Sequence, residues 1–184
     1  NLTNNTTGLT FEYLYNVDTT SIVEGFTITN FDYYGIKTVG PSPKFKDLII
    51  INNNYEGIDF SGNSTPIWLE KITVDYNGHE SNNAVCGVNI SSVTKITFKD
   101  VTISNNGDPG NSFSLLRIFD PDGPLDFQNV KINNNSGNYY GQSLYLKYLD
   151  NLSLENITII HNGFQNGNNG IFIDNSSNFS INHC

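Results

Sequence analysis

Seven short segments of this chain share an apolar-x-apolar core, most of them opened by a glycine: Gly8-Leu9-Thr10-Phe11, Gly35-Ile36-Lys37-Thr38, Gly57-Ile58-Asp59-Phe60, Gly87-Val88-Asn89-Ile90, Leu116-Arg117-Ile118, Leu144-Tyr145-Leu146 and Gly170-Ile171-Phe172-Ile173. Their leading apolar residues are separated by 27, 22, 30, 28, 28 and 27 positions. A near-constant period of this size is the mark of a solenoid in which each period is one turn. No other feature restricts the fold so strongly, because a chain so rich in Gly and Asn needs a repeated interior to offset its ordering entropy.

A second motif lies inside each period: ITFKDVTISNNG from Ile96, LDFQNVKINNNSG from Leu125 and LSLENITIIHNG from Leu152, with looser copies at IWLEKITVDYNG from Ile67 and FKDLIIINN from Phe45. Stacked, the copies give one inward apolar column, Val23, Phe45, Leu69, Phe98, Phe127, Leu154 and Ile181, and a second, Phe26, Leu48, Ile72, Val101, Val130, Ile157 and Cys184. Two residues separate the columns, so strand alternation breaks and the backbone must turn a corner there. The second corner position reads Gly25, Asp47, Lys71, Asp100, Asn129, Asn156 and His183, a set weighted toward residues that tolerate a left-handed conformation. The residue before it runs Glu24, Lys46, Glu70 and Lys99, alternating in sign up the stack. After the third strand comes Asn53, Asn77, Asn106, Asn135 or Asn162, which reads as turn chemistry.

These patterns predict an all-β, right-handed parallel β-helix with three short strands per coil and coils of about 22–30 residues, the right-handed crossover being the strongly preferred one. Residues 1–184 form a single segment of about seven coils. The chain opens at Asn1 without a leader and its last coil stops at Cys184, the equivalent of Ile157, so the segment reads as part of a longer chain or as a unit of a head-to-tail filament.

Val23-Glu24-Gly25-Phe26-Thr27-Ile28-Thr29-Asn30 resembles the right-handed parallel β-helix repeats of the pectin-lyase-like superfamily, and the Phe-x-Asp/Asn-Val copies at Phe98 and Phe127 are similar to polymorphic outer-membrane and adhesin-type repeats. The resemblance implies a β-helix but not one activity, since polysaccharide lyases, glycoside hydrolases, adhesins and inert fibres share that architecture. Enzymes of the superfamily place acidic or basic groups on outward positions of adjacent coils. Here the outward column Thr10, Lys37, Asp59, Asn89, Arg117, Tyr145 and Phe172 holds one carboxylate, and the column Trp68, Thr97, Asp126 and Ser153 another. Neither offers a carboxylate pair, so no catalytic residue is assigned. Arg117, Tyr145 and Phe172 are candidates for surface binding of sugars or a partner chain. Two aromatics covered by a long loop fit the same pattern.

The nine Lys and Arg face 18 Asp and Glu, a net charge of -9, which repels a phosphate backbone and excludes nucleic acid as a partner. No run approaches the roughly 18 apolar residues of a membrane span. Asp120, Asp122 and Asp126, in RIFDPDGPLD, are the candidate calcium ligands, although Asp-Pro-Asp-Gly is equally a routine turn. Calcium is thus the one candidate cofactor. His79, Glu80 and His161 read as solvent-facing turn positions, and Cys86 and Cys184 as buried thiols too far apart for a disulfide.

Asn-x-Ser/Thr occurs at Asn1, Asn4, Asn5, Asn63, Asn89, Asn134, Asn151, Asn156, Asn175 and Asn178, each an acceptor for an N-linked glycan in a secreted chain. Asn156 is ambiguous, because a corner Asn can instead bond its neighbours in an internal ladder. Open ends, sequons in turns and the missing catalytic set lead to the expectation of an extracellular structural or adhesive glycoprotein. A polysaccharide-active enzyme or carbohydrate-binding domain is the alternative.

Overall fold

Alternating apolar residues divide the chain into strands: β1 (Leu9–Glu12), β2 (Ile22–Glu24), β3 (Thr27–Thr29), β4 (Ile36–Val39), β5 (Lys44–Ile51), β6 (Ile58–Ser61), β7 (Ile67–Asp75), β8 (Val85–Ser91) and β9 (Ile96–Ser104). There follow β10 (Ser114–Phe119), β11 (Leu125–Asn133), β12 (Ser136–Gly137), β13 (Gln142–Lys147), β14 (Leu152–Ile160), β15 (Gly163–Phe164), β16 (Ile171–Asp174) and β17 (Ser180–Asn182). This is a computed structural model that describes residues 6–12, 17–18, 20–62, 66–79, 85–107, 114–121, 123–137, 141–149, 152–164, 170–178 and 180–184.

Among the described residues there is no helix, and the strands stack in parallel sheets as a β-solenoid of about five turns. The first sheet runs β1-β4-β6-β8-β10-β13-β16, and the second β17-β14-β11-β9-β7-β5-β2 with β3 also on β5. The seven repeat copies are the seven strands of the first sheet. Those at either end, carrying Leu9, Phe11, Ile171 and Ile173, are only partly buried.

The apolar columns face inward as the period requires. Phe45, Leu69, Phe98, Phe127 and Leu154 form one buried file, and Leu48, Ile72, Val101, Val130 and Ile157 the next. Phe98 and Phe127 stack with ring centroids 4.8 Å apart. The corner is left-handed in every coil: φ is 77° at Gly25, 49° at Asp47, 53° at Lys71, 55° at Asp100 and Asn129, and 52° at Asn156 and His183. From β5 to β14 it does not end the strand, and one bent strand of the second sheet carries both columns, whereas the first coil splits into β2 and β3 and β17 stops before His183. The expected three strands per coil are therefore mostly two, the second bent at its left-handed residue.

This conformation is testable at one position. A β-branched side chain at φ near 55° is sterically costly, so Asn129→Val is expected to lose about 1–2 kcal/mol in urea denaturation, whereas Asn129→Gly stays near wild type. Equal tolerance of both would mean that the corner is not left-handed.

Three inward assignments fail at the ends of the stack. Phe26 is 58% exposed and Ile181 40%, and Cys184 is an exposed thiol, its Sγ 3.3 Å from the Asn182 carbonyl oxygen to which it donates. Each lies in register with its column but has a described coil on one side only. Around Phe26 the core opens into a cavity of ≈ 390 Å³ lined by Leu9, Phe11, Val23, Thr27, Ile28 and Phe31. Cys86 lies in β8, and its side chain is outside the described ones.

The charge ladder holds its register, with Glu24 beside Lys46, Lys46 beside Glu70 and Glu70 beside Lys99. Its ion pairs are redistributed. Lys46 reaches Glu24 at 3.8 Å, while Glu70 pairs with Lys44 at 3.2 Å, one alternation away on the same face.

The asparagines after the second sheet are more than turn formers. Asn53, Asn77, Asn106 and Asn135 are buried, and with Asn162 they form a continuous ladder. At each rung the backbone N–H and Nδ2 both donate to the Oδ1 of the next coil's asparagine, at 2.9 and 3.0 Å from Asn77 to Asn106 and 2.8 and 3.1 Å from Asn106 to Asn135. The second Nδ2 hydrogen reaches the carbonyl of a core strand, as in Asn106 to Val74 at 2.9 Å and Asn135 to Ile103 at 3.0 Å. Buried amides thus become a hydrogen-bonded spine of the solenoid. The glycines opening the first-sheet strands make room for it: a Cβ on Gly57 would meet Val74 Cγ1 and come within 3.1 Å of Asn77 Nδ2.

Candidate functional site

The outward face of the first sheet aligns Lys37, Asp59, Asn89, Arg117, Tyr145 and Phe172 on successive strands, in the register that the period predicts. Burial perturbs its lower half. Asp59 is only 8% exposed, and desolvation raises its pKa against the Asn89 hydrogen bond and the charges of Lys37 and Arg117. Asn89 Nδ2 donates to Asp59 Oδ1 at 2.9 Å.

A second carboxylate joins Asp59 from the preceding loop. Glu56 is also 8% exposed, and its pKa is pushed up to about 8, chiefly by burial and further by the Asp59 charge, against a hydrogen bond from its own backbone N–H and the pull of Lys37. Above it in the charge network, Tyr34 is raised to about 12 by burial and then by Glu56 and Asp59. Lys37 Nζ lies 5.2 Å from the Tyr34 ring centroid. Two acceptor atoms of this cluster, Glu56 Oε2 and Asn89 Oδ1, are buried and have no hydrogen-bond partner among the described residues.

The strand column itself still holds one carboxylate, and the second, Glu56, comes from a loop that a count of strand positions does not reach. A signal for Glu56 was present. The offset of 22 that carries Gly35 to Gly57 also carries Tyr33 to Tyr55 and Tyr34 to Glu56. Tyr33 and Tyr55 do stack, with centroids 4.7 Å apart and planes 4° from parallel. Chemically, the group holds a carboxyl that stays protonated through neutral pH beside a second one, with two cations nearby, an arrangement able to donate a proton.

Higher on the same face Tyr145 and Phe172 pack on each other, centroids 5.5 Å apart and planes 8° from parallel. Both are half-buried. Each ring therefore spends a face on its neighbour. Arg117 turns instead toward Phe119, its Cζ 5.3 Å from that ring centroid. The three residues adjoin in register.

The corner of the second sheet is also recessed. Asp100, Asn129, Asn156 and His183, all left-handed, line a groove of ≈ 630 Å³ together with Thr102, Lys131 and Thr158. Asn129 Nδ2 donates to Asp100 Oδ1 at 3.0 Å. Asn156 is exposed here, and the internal ladder runs instead through Asn53 to Asn162.

Of the sequon asparagines, Asn134, Asn156, Asn175 and Asn178 are exposed, each with positive φ, whereas Asn89 is half-buried with its amide nitrogen on Asp59. Asn1, Asn4, Asn5, Asn63 and Asn151 lie outside the described residues, as do Glu80 and Asp122. Asp120 is exposed at the end of β10, and Asp126, half-buried in β11, accepts from Gln128 Nε2 at 3.2 Å. No group of three or more His, Cys, Asp or Glu among the described residues is placed to hold a metal ion. His79 and His161 are exposed, and no helix among the described residues is long and apolar enough to cross a membrane.

Comparison with protein-family models, curated proteins and solved structures finds no match to this chain.

Proposed function

We propose that this chain is a rigid, glycan-bearing β-solenoid of the cell exterior, structural or adhesive in role. One contrast carries the reading. None of the five ladder asparagines, Asn53, Asn77, Asn106, Asn135 and Asn162, begins an Asn-x-Ser/Thr triplet, whereas every sequon asparagine in the described residues lies outside the core. Compositional bias alone has no reason to respect burial. The internal ladder and the stacked columns couple each coil to the next, which gives a stiff rod with its acceptors on the outside.

Electron micrographs of the native material with glycopeptide mass spectrometry test this. Elongated particles with occupied sequons are expected, and compact unglycosylated monomers would remove the reading.

A second reading, a polysaccharide-active enzyme or carbohydrate-binding domain like those of the pectin-lyase-like superfamily, is favoured by the Glu56 and Asp59 pair alone. It expects turnover or binding on a panel of acidic and neutral glycans, lost in Glu56→Gln. No turnover and no binding across the panel counts against it.

A further inference from the structure

Among the sequons of the described residues, that of Asn156 places both of its chemically necessary side chains in one recess. Transfer of a glycan needs the Asn amide and the hydroxyl two residues on to be reached together, and Asn156 and Thr158 line the same groove. In β14, Ile157 points into the core, so Asn156 and Thr158 both point out, and both are exposed. The other described sequons differ. Asn89 has its amide nitrogen on Asp59, and in the triplet from Asn134 the hydroxyl of Ser136 is half-buried and donates to the Gly107 carbonyl at 3.3 Å. Asn175 and Asn178 are exposed but line neither the corner groove nor the cavity around Phe26.

We propose that Asn156 is an N-glycosylation site whose first sugars lie down in the corner groove, along the file of Asn129, Lys131, Asp100 and Thr102. The groove suits that ligand. Its volume is ≈ 630 Å³, and Asp100, Asn129, Lys131 and the two threonines offer acceptors and donors along it, as the hydroxyl and acetamido groups of a sugar require. From the Asn156 coil to the Asp100 coil is two strand spacings of about 4.8 Å, so the file is within reach of the sugars nearest the attachment point. The remaining wall residue, His183, lies one coil the other way. This inference rests on the glycoprotein reading and adds the position and the seating.

The test is to secrete the full chain from a eukaryotic host, map its glycopeptides and measure the acylation rate of Lys131, which is exposed when the groove is empty. Wild type and Thr158→Ser are expected to carry a glycan on Asn156 and to show at least a several-fold slower Lys131 acylation than Asn156→Gln and Thr158→Ala, which lack it. An unmodified Asn156 beside an occupied Asn175 or Asn178 overturns this site and leaves the glycoprotein reading intact. An occupied Asn156 with Lys131 acylated as fast as in Asn156→Gln overturns the seating. If all sequons are empty, both readings fall.

Discussion

Asn106→Ala is expected to destabilise the solenoid by about 3–5 kcal/mol in urea denaturation, far more than a typical polar substitution. The side chain sits mid-ladder and is fully buried. Its Oδ1 accepts from Asn77 N at 2.9 Å and Asn77 Nδ2 at 3.0 Å, and its Nδ2 donates to Val74 O at 2.9 Å and to Asn135 Oδ1 at 3.1 Å. Alanine removes all four and leaves the buried Asn77 backbone N–H and Val74 carbonyl without these partners, at about 1–3 kcal/mol for each orphaned group. Asn106→Asp should be no better, because a carboxylate cannot donate and would set acceptor against acceptor at Val74 O and Asn135 Oδ1. Asn162→Ala is the control. Asn162 is only half-buried and closes the described ladder at one end, so its loss should be nearer 1 kcal/mol. If Asn106→Ala costs no more than Asn162→Ala, the spine contributes nothing beyond an ordinary turn.

The ladder also shows where the sequence could be read and where it could not. Period and alternation are properties of strands, and they gave the register of Lys37, Asp59, Asn89, Arg117, Tyr145 and Phe172 and the left-handed corner as far as Lys71, a residue with no strong preference for that conformation. The same regularity in Asn53 to Asn162 was visible, but turn chemistry and a buried amide ladder use the same residue at the same period. Burial and the Nδ2-to-Oδ1 bonds from coil to coil separate them.

What the period cannot report is the third direction. It places Phe26 and Cys184 in inward columns yet says nothing about whether another coil covers them. It brings Tyr145 over Phe172 without saying whether the rings lie face to face and so withdraw those faces from a partner. Glu56 was missed for a related reason. It belongs to a loop, and its burial depends on tertiary packing, although its offset from Tyr34 equals that of the strands beside it.

Glu56 supplies the other large effect, and it is a pH dependence. Its folded pKa, about 8, lies above the ordinary carboxyl value of 4.5, so the folded chain holds a proton that the unfolded chain has released between those limits. Stability from this group is therefore fully present below about pH 4.5, falls as pH rises through the window, and levels off above about 8. At about 1.4 kcal/mol per tenfold difference in proton affinity, the loss across the window is roughly 3–5 kcal/mol. Asp59, raised for the same reason, adds to the slope in the same direction. Glu56→Gln keeps the shape and cannot ionise, so the variant should match wild type near pH 4.5, exceed it at pH 8 and above, and show a much flatter profile between. Asp59→Asn should act differently: by removing the charge that helps hold the Glu56 proton, it moves the wild-type fall to lower pH without abolishing it. Urea midpoints measured at intervals from pH 4.5 to 9 separate these cases. A wild-type profile already flat over that range, or a Glu56→Gln profile with the wild-type slope, would show that this carboxyl is solvated and that the first sheet's outward face holds no proton at neutral pH.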